Sequence, residues 1–400
     1  MLAAIASCAS PAGALVKPPH LHAKAAIVIE SESGDALLRR HADKRRPIAS
    51  TTKLMTALLT LERGSLRERL TVPHYRAGPG ESTIGLHPGE HLTVRDLLRA
   101  LLLPSANDAA ATLAQGVAGS RRSFVRAMNR RARRLHLSHT HYASPVGLDD
   151  RRNYSSASDL VALARVDLGN RFFAATVKRT HATLRSGRHR RQIVNRNRLV
   201  AAHHWITGVK TGHTRAAGFC LVGSATRHGV TVLSAVLGDP SEATRDADTL
   251  ALLRYGLRSY RHAVLVPAGR MLAQARARGG DGKKVALVTA SRASGELRRG
   301  TRPVISVAAP RALNAPLAAG TRVGTVTVRV AGRVIARVPL VTARRLTRIG
   351  TVERVRRALA GPIGIGALAF VAGGSLLVAM HRRRRLRTER RRRQGRVGAA

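Results

Sequence analysis

A serine and a lysine stand three residues apart in segment 47–53, as Ser50 and Lys53. On a helix this spacing places both side chains on one face, a turn apart. The amine can then accept the proton of the hydroxyl, provided that burial and a nearby cation keep part of it neutral. The pair predicts a serine activated for nucleophilic attack. Alone the pattern is weak, because a helix-capping serine followed by a surface lysine reads the same.

A hydroxyl and an amide follow the apolar stretch 101–103, as Ser105 and Asn107. On a bent loop both side chains can face one cleft. Ser105 would then relay a proton, and Asn107 would donate to a substrate amide. By itself this pattern also fits an ordinary turn or helix cap.

A third segment, Lys210-Thr211-Gly212, comes directly before the strand-like run 219–225. An edge strand can pair with an extended peptide, and glycine allows that peptide to approach closely. Lys210 and Thr211 would bind the carboxylate of such a peptide. The alternative is a basic edge strand that stays solvated. The three motifs occur in one chain in the order S-x-x-K, S-x-N, K-T-G, and this conjunction is far more specific than any of them singly.

With these motifs the sequence resembles the low-molecular-mass penicillin-binding proteins that act as D-alanyl-D-alanine carboxypeptidases, a serine peptidase family. The likeness extends to segments 49–56, 103–109, 147–149, 154–159 and 210–214. Two positions depart from the family pattern. Ala106 stands where the family usually has glycine, and the Pro145-Val146 pair stands before Gly-Leu-Asp where the family commonly has a polar residue. Neither removes a reacting group, but both bear on substrate preference and the deacylation rate.

The resemblance implies a role for each motif residue. Ser50 would be the acylated nucleophile and Lys53 its base, although the residues alone leave open whether Lys53 or Lys210 takes the first proton. Backbone N–H groups of Ser50 and His213 would form the oxyanion hole. The remaining residues assigned to proton relay and substrate binding are Ser105, Asn107, Lys210, Thr211, Gly212, His213, Thr214, Arg245 and Arg196. No cofactor or metal is implied.

The pattern of apolar residues predicts the elements that must position these groups. Residues 25–30, 219–225 and 230–236 read as buried strands, and leucines after Ser50 recur at helical spacing. Helices around an antiparallel sheet give an α+β domain of the penicillin-binding and β-lactamase kind. After residue 262, short runs of β-branched residues broken by turns predict a small all-β domain. The predicted parts are a lead segment 1–24, a catalytic domain 25–262, a β-rich domain 263–345, a linker 346–357, a transmembrane helix 358–380 and a basic tail 381–400.

The chain ends predict attachment to a membrane. Segment 358–380 carries no charge and exceeds the roughly 20 residues that cross hydrocarbon. The arginines after it outnumber those before it, so the tail is expected in the cytoplasm and the catalytic domain outside the cell. Residues 1–16 of the lead segment are apolar and rich in small residues, which fits either a truncated secretion signal or a disordered lead. Cys220 is expected to be a small core residue.

The formal net charge of +48 invites a nucleic-acid function. Arginine is spread through nearly every segment, however, and an aromatic content of 3% leaves few platforms for stacking on bases. No nucleic acid is therefore expected as partner. The expected partners are membrane lipid, wall peptides that end in D-Ala-D-Ala, and β-lactams as covalent inhibitors.

Three other functions compete with carboxypeptidase activity. A class A β-lactamase shares two motifs but needs a glutamate between the second and third, and no Glu lies between Asp108 and Lys210. Endopeptidase activity on cross-links uses the same chemistry and stays open. A non-catalytic wall-binding membrane protein would leave the ordered motifs unexplained.

Overall fold

The structure, a computed structural model, describes residues 5–7, 16–279, 284–348, 350 and 362–394. Half of the predicted lead segment, including Cys8, lies outside these ranges, as does most of the linker. The chain divides into two compact units. The catalytic unit comprises residues 9–263 and 295–302, and the β-rich unit comprises residues 1–8, 264–294 and 303–400.

Helices make up much of the catalytic unit. They are α1 Lys53–Arg63, α2 Val94–Leu102, α3 Asn107–Ala118, α4 Arg121–Arg134, α5 Ala157–Leu168, α6 Arg171–Val177, α7 Arg198–Ala202 and α8 Glu242–Ser259. A 3-10 turn, Ala49–Thr52, leads directly into α1. In the β-rich unit a long helix, α9, covers Pro362–Gln394.

The strands are numbered through both units. They are β1 Ile5–Ser7, β2 Ala25–Glu30, β3 Ala36–Arg40, β4 Arg46–Pro47, β5 Arg69–Thr71, β6 His91–Thr93, β7 Tyr154–Ser155, β8 His181–Leu184, β9 Arg191–Val194, β10 Ile206–Thr214, β11 Gly218–Arg227, β12 Val230–Asp239, β13 Tyr260–Val266, β14 Met271–Arg278, β15 Lys284–Thr289, β16 Ala293–Arg298, β17 Val304–Ala308, β18 Ala312–Asn314, β19 Arg322–Val330 and β20 Arg333–Thr342.

An antiparallel sheet in the order β10-β11-β12-β2-β3 is the centre of the catalytic unit. Every residue of β2 is buried, because helices cover both faces of the sheet. On one face Ile27 and Leu233 pack into the core shared with the helices that precede β10. On the other face Val28 and Val232 pack with Leu252 of α8. Alternate strand residues point to opposite faces, so each strand contributes to both cores. The α+β prediction is confirmed.

The β-rich unit contains a sheet in the order β1-β17-β19-β20-β15-β14-β18. Strands β19 and β20 form the predicted hairpin across Ala331 and Gly332, and Val330 pairs with Arg333. Both loop residues have positive φ, 47° and 80°, as a type I′ turn requires. The prediction of a β-rich region after the catalytic domain is confirmed.

The predicted transmembrane segment 358–380 begins outside the described residues, and its part from 362 onward lies in α9. Within the described ranges, no helix combines the length and the hydropathy that crossing a bilayer takes.

Candidate active site

Ser50, the predicted nucleophile, lies in the 3-10 turn at the start of α1. Lys53 is the first residue of α1 and is fully buried, and its Nζ donates to Ser50 Oγ at 2.8 Å. The same ammonium donates to the carbonyl of Val146 at 2.8 Å. The predicted contact between hydroxyl and amine is therefore present, and the Val146 carbonyl holds the amine against the serine.

The segment that supplies Val146 approaches the turn very closely. Gly147 has a φ of +85°, and a Cβ there would lie 2.1 Å from the carbonyl oxygen of Ala49. Only glycine fits this approach, because any side chain would overlap the backbone next to Ser50. Asp149, two residues on, accepts from the hydroxyl of Thr214 at 2.5 Å. The Gly-Leu-Asp segment thus joins the 3-10 turn that carries Ser50 to β10.

The second motif borders the same space. Ser105 has a φ of 68°, is buried, and has no hydrogen-bond partner for its Oγ among the described residues. A positive φ is uncommon outside glycine, and strained residues of this kind occur in turns and cluster at active sites. Asn107 begins α3, and its Nδ2 donates to Glu81 Oε2 at 2.7 Å. Asn107 is buried, and its Oδ1 has no partner in the described part of the chain.

Strand β10 forms the opposite wall. Lys210 is buried on it, and its Nζ donates to the carbonyl of Thr211 at 2.9 Å. A Cβ on Gly212 would lie 3.1 Å from the backbone N of Ser50, so this strand crosses directly beside the nucleophile. His213 stacks on Phe219 with the ring centroids 4.0 Å apart. The third motif therefore meets the first across one cleft.

Burial and mutual repulsion change the charge states of both lysines. Burial, with the Arg196 guanidinium, lowers the pKa of Lys53 to about 7, although Glu81 and Asp108 oppose this shift. Burial also lowers the pKa of Lys210 well below its ordinary value, and the charges of Lys53, Arg196 and Arg245 add to the effect. A neutral amine beside the serine is thus accessible near neutral pH.

A cleft of about 970 Å³ opens over these groups. Ser50, Ser105, Thr211, Gly212, His213, Arg196 and Arg245 all line it. Thr214 does not line the cleft, and its hydroxyl donates to Asp149. Lys53, Asn107 and Lys210 are buried next to lining residues. The structure thus assembles the residues of all three motifs around one cleft.

Arg245 differs from an ordinary surface arginine. Its side chain is only 4% exposed and forms ion pairs with Glu242 at 2.9 Å and Asp246 at 2.7 Å. These contacts hold the guanidinium at the cleft wall, where it can meet an anionic group. Arg196 shares the cleft wall and acts electrostatically on both lysines.

Sequence reasoning missed several groups of the site. Glu81 and Tyr75 lie in stretches without a catalytic motif. Val146 was noted in the sequence only as a departure from the family, and the contact of its carbonyl with Lys53 was missed. The only available signal was an acidic residue, Glu81, in a chain poor in acids, within a segment that is not strand-like or helical. Among the described residues, no cluster of three or more histidine, cysteine or acidic side chains could hold a metal ion.

A serine in contact with a buried lysine, under a sheet edge that carries a second lysine, defines a serine acyl-transfer enzyme of the penicillin-binding fold. The family model for D-alanyl-D-alanine carboxypeptidase matches residues 12–241, and that for the C-terminal domain of penicillin-binding protein 5 matches residues 260–348. The chain belongs to the D-alanyl-D-alanine carboxypeptidase family of serine peptidases.

Individual relatives agree with this assignment. The chain is 31% identical to the D-alanyl-D-alanine carboxypeptidase DacA of Escherichia coli, over 82% of this chain and 84% of the relative. Penicillin-binding protein 5 of Haemophilus influenzae superposes with a TM-score of 0.61 at 27% identity, covering 83% of this chain and 100% of that one. A Streptomyces DD-transpeptidase gives a TM-score of 0.59 at 33% identity, covering 61% and 100%.

Proposed function

We propose that the chain removes the terminal D-Ala from peptidoglycan stem peptides through an acyl-enzyme on Ser50. The observation that carries this proposal is the 2.8 Å contact between Ser50 Oγ and the Nζ of Lys53, a buried amine whose pKa is lowered to about 7. A lysine in that state is neutral often enough to act as general base near neutral pH. Family membership supports the D-Ala-D-Ala substrate.

The reaction proceeds in two halves. Neutral Lys53 takes the proton of Ser50 Oγ, and the oxygen attacks the carbonyl carbon of the penultimate D-Ala. The negative charge on the carbonyl oxygen is stabilised by the backbone N–H groups of Ser50 and His213. The C–N bond then breaks, and the terminal D-Ala leaves with a proton that Ser105 relays from Lys53. Water hydrolyses the ester and restores Ser50.

The cleft wall supplies the recognition of the peptide end. The free α-carboxylate of the substrate is the anion that Arg245, Arg196 and Thr211 bind, with Lys210 beneath them. Gly212 lets the peptide lie along β10 as an added strand. An endopeptidase substrate carries a further peptide, joined through the scissile amide, in place of the free terminal D-Ala. Guanidinium groups that bind a terminal carboxylate therefore favour the carboxypeptidase substrate.

We infer membrane attachment through segment 358–380, with the catalytic unit outside the cell and the tail in the cytoplasm. The support is the absence of charge from Ala358 to Met380, and the arginines that follow at 382–385 and 390–393. Such an excess of cations is retained on the cytoplasmic side.

Labelling with a penicillin tests the proposed function. The purified chain should bind labelled penicillin covalently and release D-Ala from an acyl-D-Ala-D-Ala peptide, and Ser50→Ala should abolish both. Ser65→Ala, an exposed serine after α1, is the matched control and should behave like the wild type. Labelling of Ser50→Ala at the wild-type level would refute the assignment of Ser50 as the nucleophile.

A further inference from the structure

A glutamate outside the three motifs contacts the Asn107 side chain. Glu81 lies between β5 and β6, and its Oε2 accepts from Asn107 Nδ2 at 2.7 Å. The hydroxyl of Tyr75 donates to the same oxygen. Glu81 Oε1 accepts from the backbone N of Gly78 at 2.9 Å, and the backbone N of Asn107 donates to the carbonyl of Ser82 at 2.7 Å. Residues 78–82 are thus attached to the start of α3 through both backbone and side chain.

The Glu81 carboxylate fixes the orientation of the Asn107 side-chain amide. An ionised carboxylate only accepts hydrogen bonds, so the NH₂ group must face Glu81 and Oδ1 must be directed elsewhere. Oδ1 is buried and has no partner among the described residues. A buried oxygen of this kind is costly unless a donor meets it, and the acyl-transfer site offers donors in its two lysines.

We propose that Glu81 is a positioning residue for acyl transfer: by holding Nδ2, it keeps Asn107 Oδ1 available as an acceptor for the donors of the site. This inference rests on the proposed function of Ser50. Tyr75 in turn holds the carboxylate in place. Glu81 Oε2 accepts from both Asn107 and Tyr75, and this shared contact suits the carboxylate to orienting the Asn107 amide.

The charge of Glu81 has a second effect, on Lys53. The charged groups that act on this ammonium are Arg196, Glu81 and Asp108. The charge of Lys53 in turn lowers the pKa of Lys210. Glu81 and Asp108 raise the pKa of Lys53, while burial and Arg196 lower it. Removing the charge of Glu81 therefore lowers the pKa of Lys53 further, and the amine becomes neutral at a lower pH.

The test compares Glu81→Gln and Glu81→Ala with the wild-type chain. The measurement is the second-order rate constant of labelling by penicillin as a function of pH. Glutamine keeps an acceptor for Asn107 but loses the charge, whereas alanine loses both. Glu62→Gln is the matched control, because Glu62 lies on the surface of α1 and pairs with Arg131 there.

Glu81→Ala should lower the labelling rate constant by about 10–100-fold, the usual effect of losing a hydrogen bond to a charged group. Glu81→Gln should recover most of that rate, and in both variants the acid limb of the profile should move to lower pH. Glu62→Gln should change neither. Equal losses of rate in Glu81→Ala and Glu81→Gln, at every pH and without movement of the limb, would indicate a purely structural role and overturn the inference. Wild-type behaviour of both variants would overturn it as well. Absence of labelling in the wild type would instead refute the proposed function.

Discussion

At the scale of single residues, the site depends on two ammonium groups that share a buried space. Lys53 contacts the nucleophile, while Lys210 donates to a carbonyl of its own strand. The pKa values of both are lowered, yet only Lys53 is within hydrogen-bond distance of Ser50 Oγ among the contacts described. This contact favours Lys53 over Lys210 as the base, and the assignment stays a prediction.

The pH dependence of acylation distinguishes the two lysines. Because the protonated amine cannot accept a proton, the labelling rate should rise with pH through about 7, the pKa of Lys53. Lys53→Arg should remove this limb and lower the rate by about 10²–10⁴-fold, since a guanidinium stays protonated. Lys210→Gln should keep the limb and weaken substrate binding. The opposite pattern, a limb lost in Lys210→Gln and kept in Lys53→Arg, would make Lys210 the base.

At the scale of elements, the loop 145–149 contacts the 3-10 turn that carries Ser50 and strand β10. It supplies the carbonyl that holds Lys53, the glycine that contacts Ala49, and the aspartate that binds Thr214. A resemblance to the family identified the Gly-Leu-Asp segment in the sequence. Its physical reason, a close approach between segments almost 100 residues apart, appears only in three dimensions.

Gly147→Ala should damage both folding and acylation. Alanine at φ +85° costs about 1–2 kcal/mol, and its Cβ would also lie 2.1 Å from the Ala49 oxygen, so the turn that carries Ser50 must move. We expect a loss of roughly 3 kcal/mol or more in the free energy of unfolding and a large drop in penicillin labelling. The matched control is Gly89→Ala, with φ +77° and nothing within 4 Å of its Cβ, which should lose only the strain. Equal unfolding midpoints and labelling rates for the two variants would contradict this account.

Features with a local signal could be predicted from the sequence, and contacts between distant segments could not. Strands β2, β11 and β12 were predicted because buried runs bounded by turn residues are local signals, and the motifs were found because their spacing is local too. The contact of Glu81 with Asn107 spans 26 residues, and the contact of Lys53 with Val146 spans 93. Neither contact has a local signature, so the groups that orient the catalytic side chains were missed. The catalytic roles of the motif residues stay predictions until variants are measured.

At the scale of the whole molecule, the charge and the chain ends bear on where the enzyme acts. The net charge of +48 favours anionic surfaces, and lipid headgroups and wall polymers are both of that kind. A substrate that is part of the wall is confined to a layer near the membrane surface. Attachment through segment 358–380 would keep the catalytic unit in that layer, so charge and anchor would act in the same direction.

Removing residues 358–400 should release the chain from membranes without affecting the active site. The full chain should sediment with membranes that have been washed with alkali, because a charge-free segment of this length is retained by the hydrocarbon layer. The shortened chain should remain in the supernatant and label with penicillin at the wild-type rate. A chain that lacks only residues 381–400 is the matched control and should still sediment. Protease added outside intact cells should digest the catalytic unit and leave a C-terminal tag intact. Sedimentation of the shortened chain, or digestion of the tag from outside, would contradict the proposed anchor and its orientation.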